Sequence, residues 1–319
     1  MGVNIISLTK KYNTQAKCLS LLESIRWGKT VTCPYCESTE VRPIKSEAGR
    51  YACNTCKKSF TVYIDTIFEN THLPLTIWFR IIAMMLNSKS GISAKEIQRN
   101  IHITYKSCYY TAMRVRIGML MPDSQLSGIL EMDESYFGGK VAGRKLPENE
   151  AHLSTVNTKR GRGTSKVPVA GIVERQGAVK TKVIEKLTKR NLLAMLKASV
   201  TSDDSILITD GFKSYSSFDK YIEHLIASHS KKYSKGVTHV NTIEGFWSYI
   251  KNGIRGNFKS ISPKYLPLYL IEYEWKYNHR NMKSGEFEEF LKNALNQEKE
   301  LSHWKAKSKQ EVKDIAYRK

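Results

Sequence analysis

The spacing of apolar residues predicts three helices in the first half of the chain. Residues 75–87, LTIWFRIIAMMLN, carry large apolar side chains three and four positions apart, which is typical of a helix with one buried face. A second helix is predicted to begin at Ser93, because Ser93 and Glu96 form a capping box, and to end near Asn100. A third begins near Thr104 after a short turn, which is the spacing of a helix-turn-helix motif.

Farther along the chain the pattern of apolar residues changes from one typical of helices to one typical of strands. Residues 129–137 are predicted to form a strand, and residues 206–208 are a branched apolar run typical of a buried strand. Two further strand-like stretches between them predict a hairpin that turns at Gln176-Gly177. A helix-like stretch follows at 189–200. Strands that alternate with helices in this way predict an α/β segment.

These patterns divide the chain into four segments. We predict a small cysteine-containing module over 1–70, a helical segment over 71–125, an α/β segment over 126–282 and a charged helical tail over 283–319. The sequence contains no internal repeat, and we assign no role to the tail.

The chain is strongly basic. Its 319 residues include 51 Lys and Arg against 30 Asp and Glu, which gives a formal net charge of +21. Such a protein most often binds a polyanion, and nucleic acid is the first candidate. An anionic membrane is the rival partner, but no apolar run reaches the about 18–20 residues that a membrane span needs. The N-terminus has no secretory signal, so we expect a cytosolic protein.

Four of the six cysteines form two close pairs. CPYC and CNTC place Cys33, Cys36, Cys53 and Cys56 as Cys-x2-Cys, sixteen residues, then Cys-x2-Cys. In a reducing compartment such pairs favour a metal over disulfides, and two cysteine knuckles close a tetrahedral four-sulfur site. We predict a structural Zn²⁺, because four protein sulfurs leave no open position for chemistry. Two redox dithiols are the alternative, but they do not require this spacing.

The third predicted helix carries residue types that bind DNA. Tyr105, Lys106, Arg114 and Arg116 can contact phosphates or base edges in a major groove, and we predict them as DNA-binding residues. The alternative is a three-helix bundle that only braces its neighbours, and the sequence leaves both possibilities open.

Acidic residues stand at two predicted strands and near the start of a later helix. Asp133 lies in the strand 129–137, Asp210 follows the strand 206–208, and Glu244 opens a helical stretch. Carboxylates brought together repel one another, whereas two Mg²⁺ about 3.5–4 Å apart between them can catalyse phosphodiester chemistry. We predict a Mg²⁺ or Mn²⁺ site here. Taken singly, the three could instead be a strand-end cap, a turn residue and a helix cap.

Basic residues accompany this acidic group. Lys251 lies two helical turns after Glu244, about 10 Å away on the same face, and is predicted to grip a phosphate near the metal site. The loop-like stretch 138–166 is also basic. The basic residues that we predict to contact DNA in this half of the chain are Lys251, Arg255, Lys259, Arg160 and Arg162.

Together these motifs resemble bacterial insertion-sequence transposases of the insertion-sequence-1595 group. The matching pieces are CPYC…YACNTCKKSFTV, LPLTIWF, GISAKEIQRN…TYKSCYYTAMRVR, EMDESYFGGK, ITDGFKSY and HVNTIEGFWSYIKNGIRG…YLIEYEWKYNHR. The resemblance covers roughly residues 15–285. It implies a ribonuclease H-like mixed sheet flanked by helices, preceded by a zinc ribbon and a helix-turn-helix-like segment. The implied Asp-Asp-Glu triad with its additional lysine falls on Asp133, Asp210, Glu244 and Lys251.

The resemblance further implies a DNA transposase. Such an enzyme hydrolyses one strand at the terminal inverted repeats of its element with a metal-activated water, and the freed 3′-hydroxyl then attacks target DNA. The expected partners are double-stranded DNA and at least one further copy of the chain, since two ends must be paired. The expected location is the bacterial cytoplasm, in association with the nucleoid.

Three other functions use parts of the same pattern. A DNA-binding regulator would keep the ribbon and the helical segment beside an inactive third segment. A metal-dependent nuclease on the same fold would cut without joining. A serine or tyrosine recombinase would need its nucleophile among clustered arginines, and Ser135 and Tyr136 lack that setting.

Overall fold

The computed structural model describes residues 3–138, 166–227, 238–297 and 309–317. The chain forms two compact units, one made of Met1–Pro122 with Leu268–Lys319 and the other of Asp123–Pro267. Within the four described ranges, no helix is both long and apolar enough to cross a membrane.

The first unit combines a small antiparallel sheet with helices from both ends of the chain. Its elements are α1 (Ile5–Lys11), α2 (Gln15–Trp27), β1 (Val41–Pro43), β2 (Arg50–Cys53), β3 (Ser59–Thr61), α3 (Leu75–Asn87), α4 (Ala94–Ile101), α5 (Tyr105–Gly118), α8 (Leu266–Asn278), α9 (Glu286–Leu295) and α10 (Lys309–Ala316). The three strands pair in the order β1-β2-β3. Trp27, Tyr51 and Phe60 pack together beside the buried cysteines and give this small sheet an aromatic core.

The three helices expected from the apolar spacing are present as α3, α4 and α5. Ser93 Oγ accepts the amide of Glu96 at 3.1 Å, and Thr104 Oγ1 accepts the amide of Ser107 at 3.2 Å. Each hydroxyl therefore caps the helix that follows it. His102 between the two helices has a φ of 58°, and this left-handed residue ends α4.

The first unit buries a group of opposite charges between α5 and α8. Arg116 Nε donates to Glu272 Oε2 at 2.8 Å, and Lys276 Nζ donates to the other oxygen of Glu272. The three side chains are 2%, 0% and 5% exposed. Helix α8 therefore belongs with the first unit, whereas the predicted α/β segment continued to residue 282.

The predicted charged tail contains a core helix. Helix α9 buries Phe287, Phe290 and Leu291, and Gly118 of α5 lies close enough to Phe290 that an added Cβ would meet its ring at 3.0 Å. The charged residues of the sequence thus occupy the outer side of a helix whose apolar side is packed.

The second unit is a five-stranded mixed sheet with helices. Its elements are β4 (Leu126–Phe137), β5 (Val167–Glu174), β6 (Val179–Val183), α6 (Lys189–Ser199), β7 (Val200–Thr209), β8 (Glu223–Ile226) and α7 (Asn241–Gly253). The strand order is β6-β5-β4-β7-β8, with antiparallel pairs on one side of β4 and parallel pairs on the other. This confirms the expected ribonuclease H-like mixed sheet.

One face of this sheet packs on α6 through apolar side chains. Leu130 and Met132 of β4 join Leu192, Met195 and Leu196 of α6 in one buried cluster. Because successive strand residues point to opposite faces, the odd-numbered neighbours Glu131 and Asp133 point away from α6.

Helix α7 packs on the opposite face of the sheet, against Gly171 of β5. A Cβ at Gly171 of β5 would lie 2.7 Å from ring carbons of Trp247, which is shorter than any normal contact. The absence of a side chain there lets the indole lie directly on the strand. Gly171 therefore sets how closely α7 approaches β4 and β5.

Candidate active site

Strand β4 and helix α7 place Asp133 in a concave surface of the second unit. Asp133 lies opposite Gly171 in the β4–β5 ladder, and Trp247 Nε1 donates a hydrogen bond to Asp133 Oδ2 at 3.1 Å. The other charged residues that line this concavity are Glu134, Glu244, Lys251 and Arg255. The structure thus brings two of the predicted carboxylates and the predicted lysine around one pocket.

Asp210 lies at the end of the neighbouring strand. β7 runs parallel to β4, with Thr209 opposite Met132, so Asp210 comes at the level of Asp133. Asp210 Oδ1 accepts the amide of Phe212 at 3.0 Å. In the part of the chain that the structure describes, Asp133, Asp210 and Glu244 do not form a group whose ligand atoms all lie within 4.8 Å, as the four cysteines do.

The electrostatics of the pocket disfavour the charged form of its central carboxyl group. Burial raises the pKa of Asp133 to about 7, opposed by the backbone amide of Glu134 and reinforced by the negative charges of Glu134, Asp210 and Glu244. Burial also lowers the pKa of Lys251, and the charge of Asp133 acts in the opposite sense. A cation beside Asp133 would stabilise the ionised form of this carboxyl group.

Two glutamates lie near Asp133 on β4, and the sequence motifs assigned a role to neither of them. Glu131 is fully buried and accepts hydrogen bonds from Arg175 and from the first turn of α7. Glu134 Oε2 accepts the hydroxyl of Tyr215 at 2.6 Å. The only sequence signal for Glu131 was its spacing of two residues from Asp133, which places both on one strand face.

The four predicted zinc ligands lie together in the first unit. Cys33 and Cys56 have their Sγ atoms 3.6 Å apart, as do Cys36 and Cys53, and all four sulfurs lie within 4.8 Å of one another. A zinc tetrahedron with bonds of about 2.3 Å has sulfur–sulfur edges of about 3.8 Å. The donor set and its size therefore fit a structural zinc ion.

Two equivalent turns hold these cysteines. Glu37 and Lys57 each follow the second cysteine of a pair and have φ of 60° and 62°, and their amides donate to the carbonyls of Cys33 and Cys53. The amide of Cys56 donates to Cys53 Sγ at 3.5 Å and helps to lower the pKa of that thiol to about 6. A lowered thiol pKa favours the thiolate that zinc binds.

The predicted DNA-binding residues of α5 fall into two groups. Tyr105 and Lys106 are exposed in its first turn. Arg114 and Arg116 are buried, at 4% and 2% exposure, which does not fit their prediction as DNA contacts. Arg114 donates to the carbonyl of Glu69 at 2.6 Å, and Arg116 is paired with Glu272, so both guanidinium groups are used inside the first unit.

The remaining predicted contacts lie in or near the second unit. Arg255 and Lys259 are exposed after α7, where the chain forms a π-helical turn over Ile254–Phe258. Arg160 and Arg162 lie outside the described residues, as does most of the basic stretch 138–166.

Comparison with known proteins matches both units. The ISXO2-like transposase domain matches residues 125–278, and the transposase zinc-ribbon domain matches residues 13–59. An uncharacterized protein in transposable element ISH50 of Halobacterium salinarum is 27% identical over 278 residues, which cover 83% of this chain and 92% of that protein. An uncharacterized transposase-like protein of Haemophilus influenzae is 32% identical over 107 residues, which cover 33% of this chain and 85% of that protein.

The two domains match a four-cysteine ribbon and a mixed sheet with acidic residues on its strands and on a helix beside it. Together these features define a transposase with a zinc ribbon. The chain belongs to the insertion-sequence-1595 family of transposases. Membership of this family implies DNA as a partner.

Proposed function

We propose that this protein cuts the ends of its insertion sequence and joins each 3′-hydroxyl to target DNA by two-metal-ion phosphoryl transfer. The observation that carries the proposal is the convergence of Asp133, Glu244 and Lys251 on one pocket, with Asp210 at the end of the adjacent parallel strand. A pocket that combines acidic and basic groups suits divalent cations and phosphate at the same time.

Asp133, Asp210 and Glu244 would hold Mg²⁺ or Mn²⁺. Carboxylate oxygens are the hard donors that these ions prefer. Trp247 holds one oxygen of Asp133 and the Phe212 amide holds one of Asp210, so the second oxygen of each aspartate is the candidate ligand. When bound, the two ions would activate the attacking oxygen and stabilise the leaving one. Glu244 is exposed, and rotation of its side chain would complete the ligand set.

Lys251 and Arg255 would bind the DNA backbone next to the scissile phosphate. They lie four positions apart on α7 and the π-helical turn that follows, and both line the pocket. The ammonium group of Lys251 and the guanidinium group of Arg255 can each donate to phosphate oxygens. Holding the phosphate in place contributes to catalysis through orientation of the reacting groups.

Other exposed groups would hold the flanking DNA. Tyr105 and Lys106 stand at the start of α5, and Lys259 follows the pocket helix. The zinc ribbon and the helical segment would recognise the element ends. Because two ends must be paired before joining, the active form would be at least a dimer, and the net charge of +21 supports a long contact with DNA.

One assay separates this function from its rivals. The purified protein is incubated with a labelled duplex carrying the repeats that flank its gene, a target plasmid, and Mg²⁺ or Mn²⁺ at fixed ionic strength. Products joined to the plasmid support a transposase that joins strands. Cut duplex without joined product indicates a nuclease, and binding without cutting indicates a regulator.

A further inference from the structure

A buried glutamate connects the strand and the helix of the candidate active site. Glu131 of β4 is 0% exposed, and both of its carboxylate oxygens face hydrogen-bond donors. Oε1 accepts from Arg175 Nε at 2.6 Å and from Thr242 Oγ1 at 2.9 Å. Oε2 accepts from the backbone amides of Thr242 and Ile243 at 2.8 Å and 3.0 Å. A strand side chain thus holds the first turn of α7.

This contact provides acceptors that the N-cap residue of α7 does not supply. Val240, the residue before the helix, makes no side-chain capping bond, and the first amides of any helix need an acceptor from outside it. The carboxylate satisfies two of these amides, and its charge is favourable at the positive end of the helix dipole.

Arg175 connects the segment that precedes α7 to the same set of hydrogen bonds. Its Nη2 donates to the carbonyl of His239 at 2.7 Å, and its own amide donates to the carbonyl of Ile129 at 2.9 Å. His239 Nδ1 lies 3.4 Å from Glu131 Oε1. The segment that leads into α7 is therefore fixed to β4 together with the helix itself.

We propose that Glu131 is a positioning residue that fixes Glu244 opposite Asp133. Glu131 precedes Asp133 by two residues on the same strand face, and Glu244 follows Ile243, whose amide Glu131 holds. One side chain thereby sets the separation between the two proposed ligands. Both oxygens of Glu131 already accept from donors, so it acts through α7 and not as a ligand. The inference rests on the proposed function, since it concerns the geometry of that metal site.

Mn²⁺ binding to the full-length, zinc-loaded protein measures this role directly. Glu131→Gln preserves the side-chain volume, but its amide cannot accept on both sides, so either Arg175 or the first turn of α7 faces an N–H₂ group. Loss of a group that orients a metal ligand typically weakens metal affinity about 10–100-fold. We expect that loss in a titration that follows unbound Mn²⁺ by electron paramagnetic resonance.

A second buried glutamate provides the matched control. Glu272 is also 0% exposed and is paired with two basic side chains, but it lies in the first unit. Glu272→Gln should lower the melting temperature and leave the Mn²⁺ affinity of the folded protein unchanged. Thr242→Val removes only one hydrogen bond to Glu131 and keeps the test available if Glu131→Gln does not fold. It should weaken Mn²⁺ binding in the same direction and by less.

The outcomes separate this inference from the proposed function. Wild-type Mn²⁺ affinity in folded Glu131→Gln, or in Thr242→Val, would overturn the positioning role. An equal loss in Glu272→Gln would also overturn it, because general destabilisation would then explain the effect. If the wild-type protein shows no Mn²⁺ binding that Asp133→Asn removes, the metal site itself is wrong and both proposals fail.

Discussion

Trp247 donates its indole N–H to Asp133 across 3.1 Å, from the middle of α7 to the strand β4. This bond orients one oxygen of the aspartate, and Gly171 makes it possible by leaving room for the indole ring. It links the packing of α7 on the sheet to the chemistry proposed at Asp133.

Trp247→Phe should slow strand cleavage while the fold is kept. Phenylalanine retains an aromatic ring but cannot donate to Asp133, and loss of such a supporting bond typically costs about 10–100-fold in activity at a metal site. The measurement is the initial cleavage rate at saturating Mn²⁺. Trp78→Phe is the matched control, because Trp78 is equally buried and donates to Thr71 at 2.8 Å in the first unit. Equal rates in both variants would exclude an orienting role for Trp247.

Asp133→Asn should change how stability depends on pH. The pKa of Asp133 is raised to about 7 in the folded protein and is about 3.9 in an unfolded chain. The folded state therefore binds the proton more tightly, so this group stabilises below about pH 4 and that contribution is lost as pH rises toward 7. Without added divalent cations, the melting temperature of Asp133→Asn minus that of wild type should increase from pH 5 to pH 7 and then level off.

Added Mn²⁺ gives the complementary result to this pH series. It should raise the melting temperature of the wild-type protein at pH 8, where Asp133 is ionised, because it binds the folded state and stabilises this carboxylate. Asp133→Asn should respond much less. If the difference in melting temperature between the two proteins does not depend on pH, the folded structure does not raise the pKa of Asp133.

Glu272→Ala should destabilise the first unit strongly. It would leave Arg116 and Lys276 buried without their counter-charge, and removing one partner of a buried ion pair costs about 3–5 kcal/mol. Chemical denaturation of the first unit, followed by the fluorescence of its tryptophans, measures the loss. A change below about 1 kcal/mol would contradict the buried arrangement.

Arg116→Met and Lys106→Ala should have opposite effects. Arg116 is enclosed in the first unit, so its replacement should lower stability and leave the DNA affinity of the folded protein unchanged. Lys106 is exposed, so its replacement should weaken duplex binding and change stability by less than about 0.5 kcal/mol. Fluorescence anisotropy with a labelled duplex at fixed salt separates the two effects. Weaker binding by folded Arg116→Met would restore Arg116 as a DNA contact.

Cys33→Ser should unfold the zinc ribbon. The variant removes one of four sulfurs from a small module whose stability depends on its metal. We expect loss of about one equivalent of zinc, measured by metal analysis, and weaker binding to the element end. Cys108→Ser removes a buried cysteine outside this group and should retain zinc. Full zinc content in folded Cys33→Ser would contradict the four-sulfur site.

Local patterns predicted the elements but not all of their partners. The apolar spacing of 75–87, the capping box at Ser93 and the predicted helix start near Thr104 describe neighbours within a helical turn, and α3, α4 and α5 follow them closely. Helix α8 has apolar residues on most sides, which indicate burial without showing against which unit. The sequence likewise does not show what the arginines of α5 contact, because periodicity does not distinguish a helix surface that binds DNA from one covered by α8.

The candidate site was predictable where acidic residues fall on predicted elements. Asp133, Asp210 and Glu244 were chosen from their places in a strand, after a strand and near a helix start, together with the family resemblance, and their catalytic roles stay predictions. Glu131 was not assigned because its partners Arg175 and Thr242 are 44 and 111 residues away in sequence. The sequence of one strand does not show that a helix more than 100 residues away will place its first turn against Glu131.

Strand joining by carboxylate variants measures whether Asp133, Asp210 and Glu244 act together in the proposed chemistry. Asp133→Asn, Asp210→Asn and Glu244→Gln are each assayed with the labelled element end, the target plasmid and Mn²⁺, with Glu223→Gln on β8 as an exposed control. Each of the three variants is expected to bind the duplex like wild type and to form no joined product, while the control joins normally. Joined product at the wild-type rate from any of the three would contradict the assignment of that residue to the metal site.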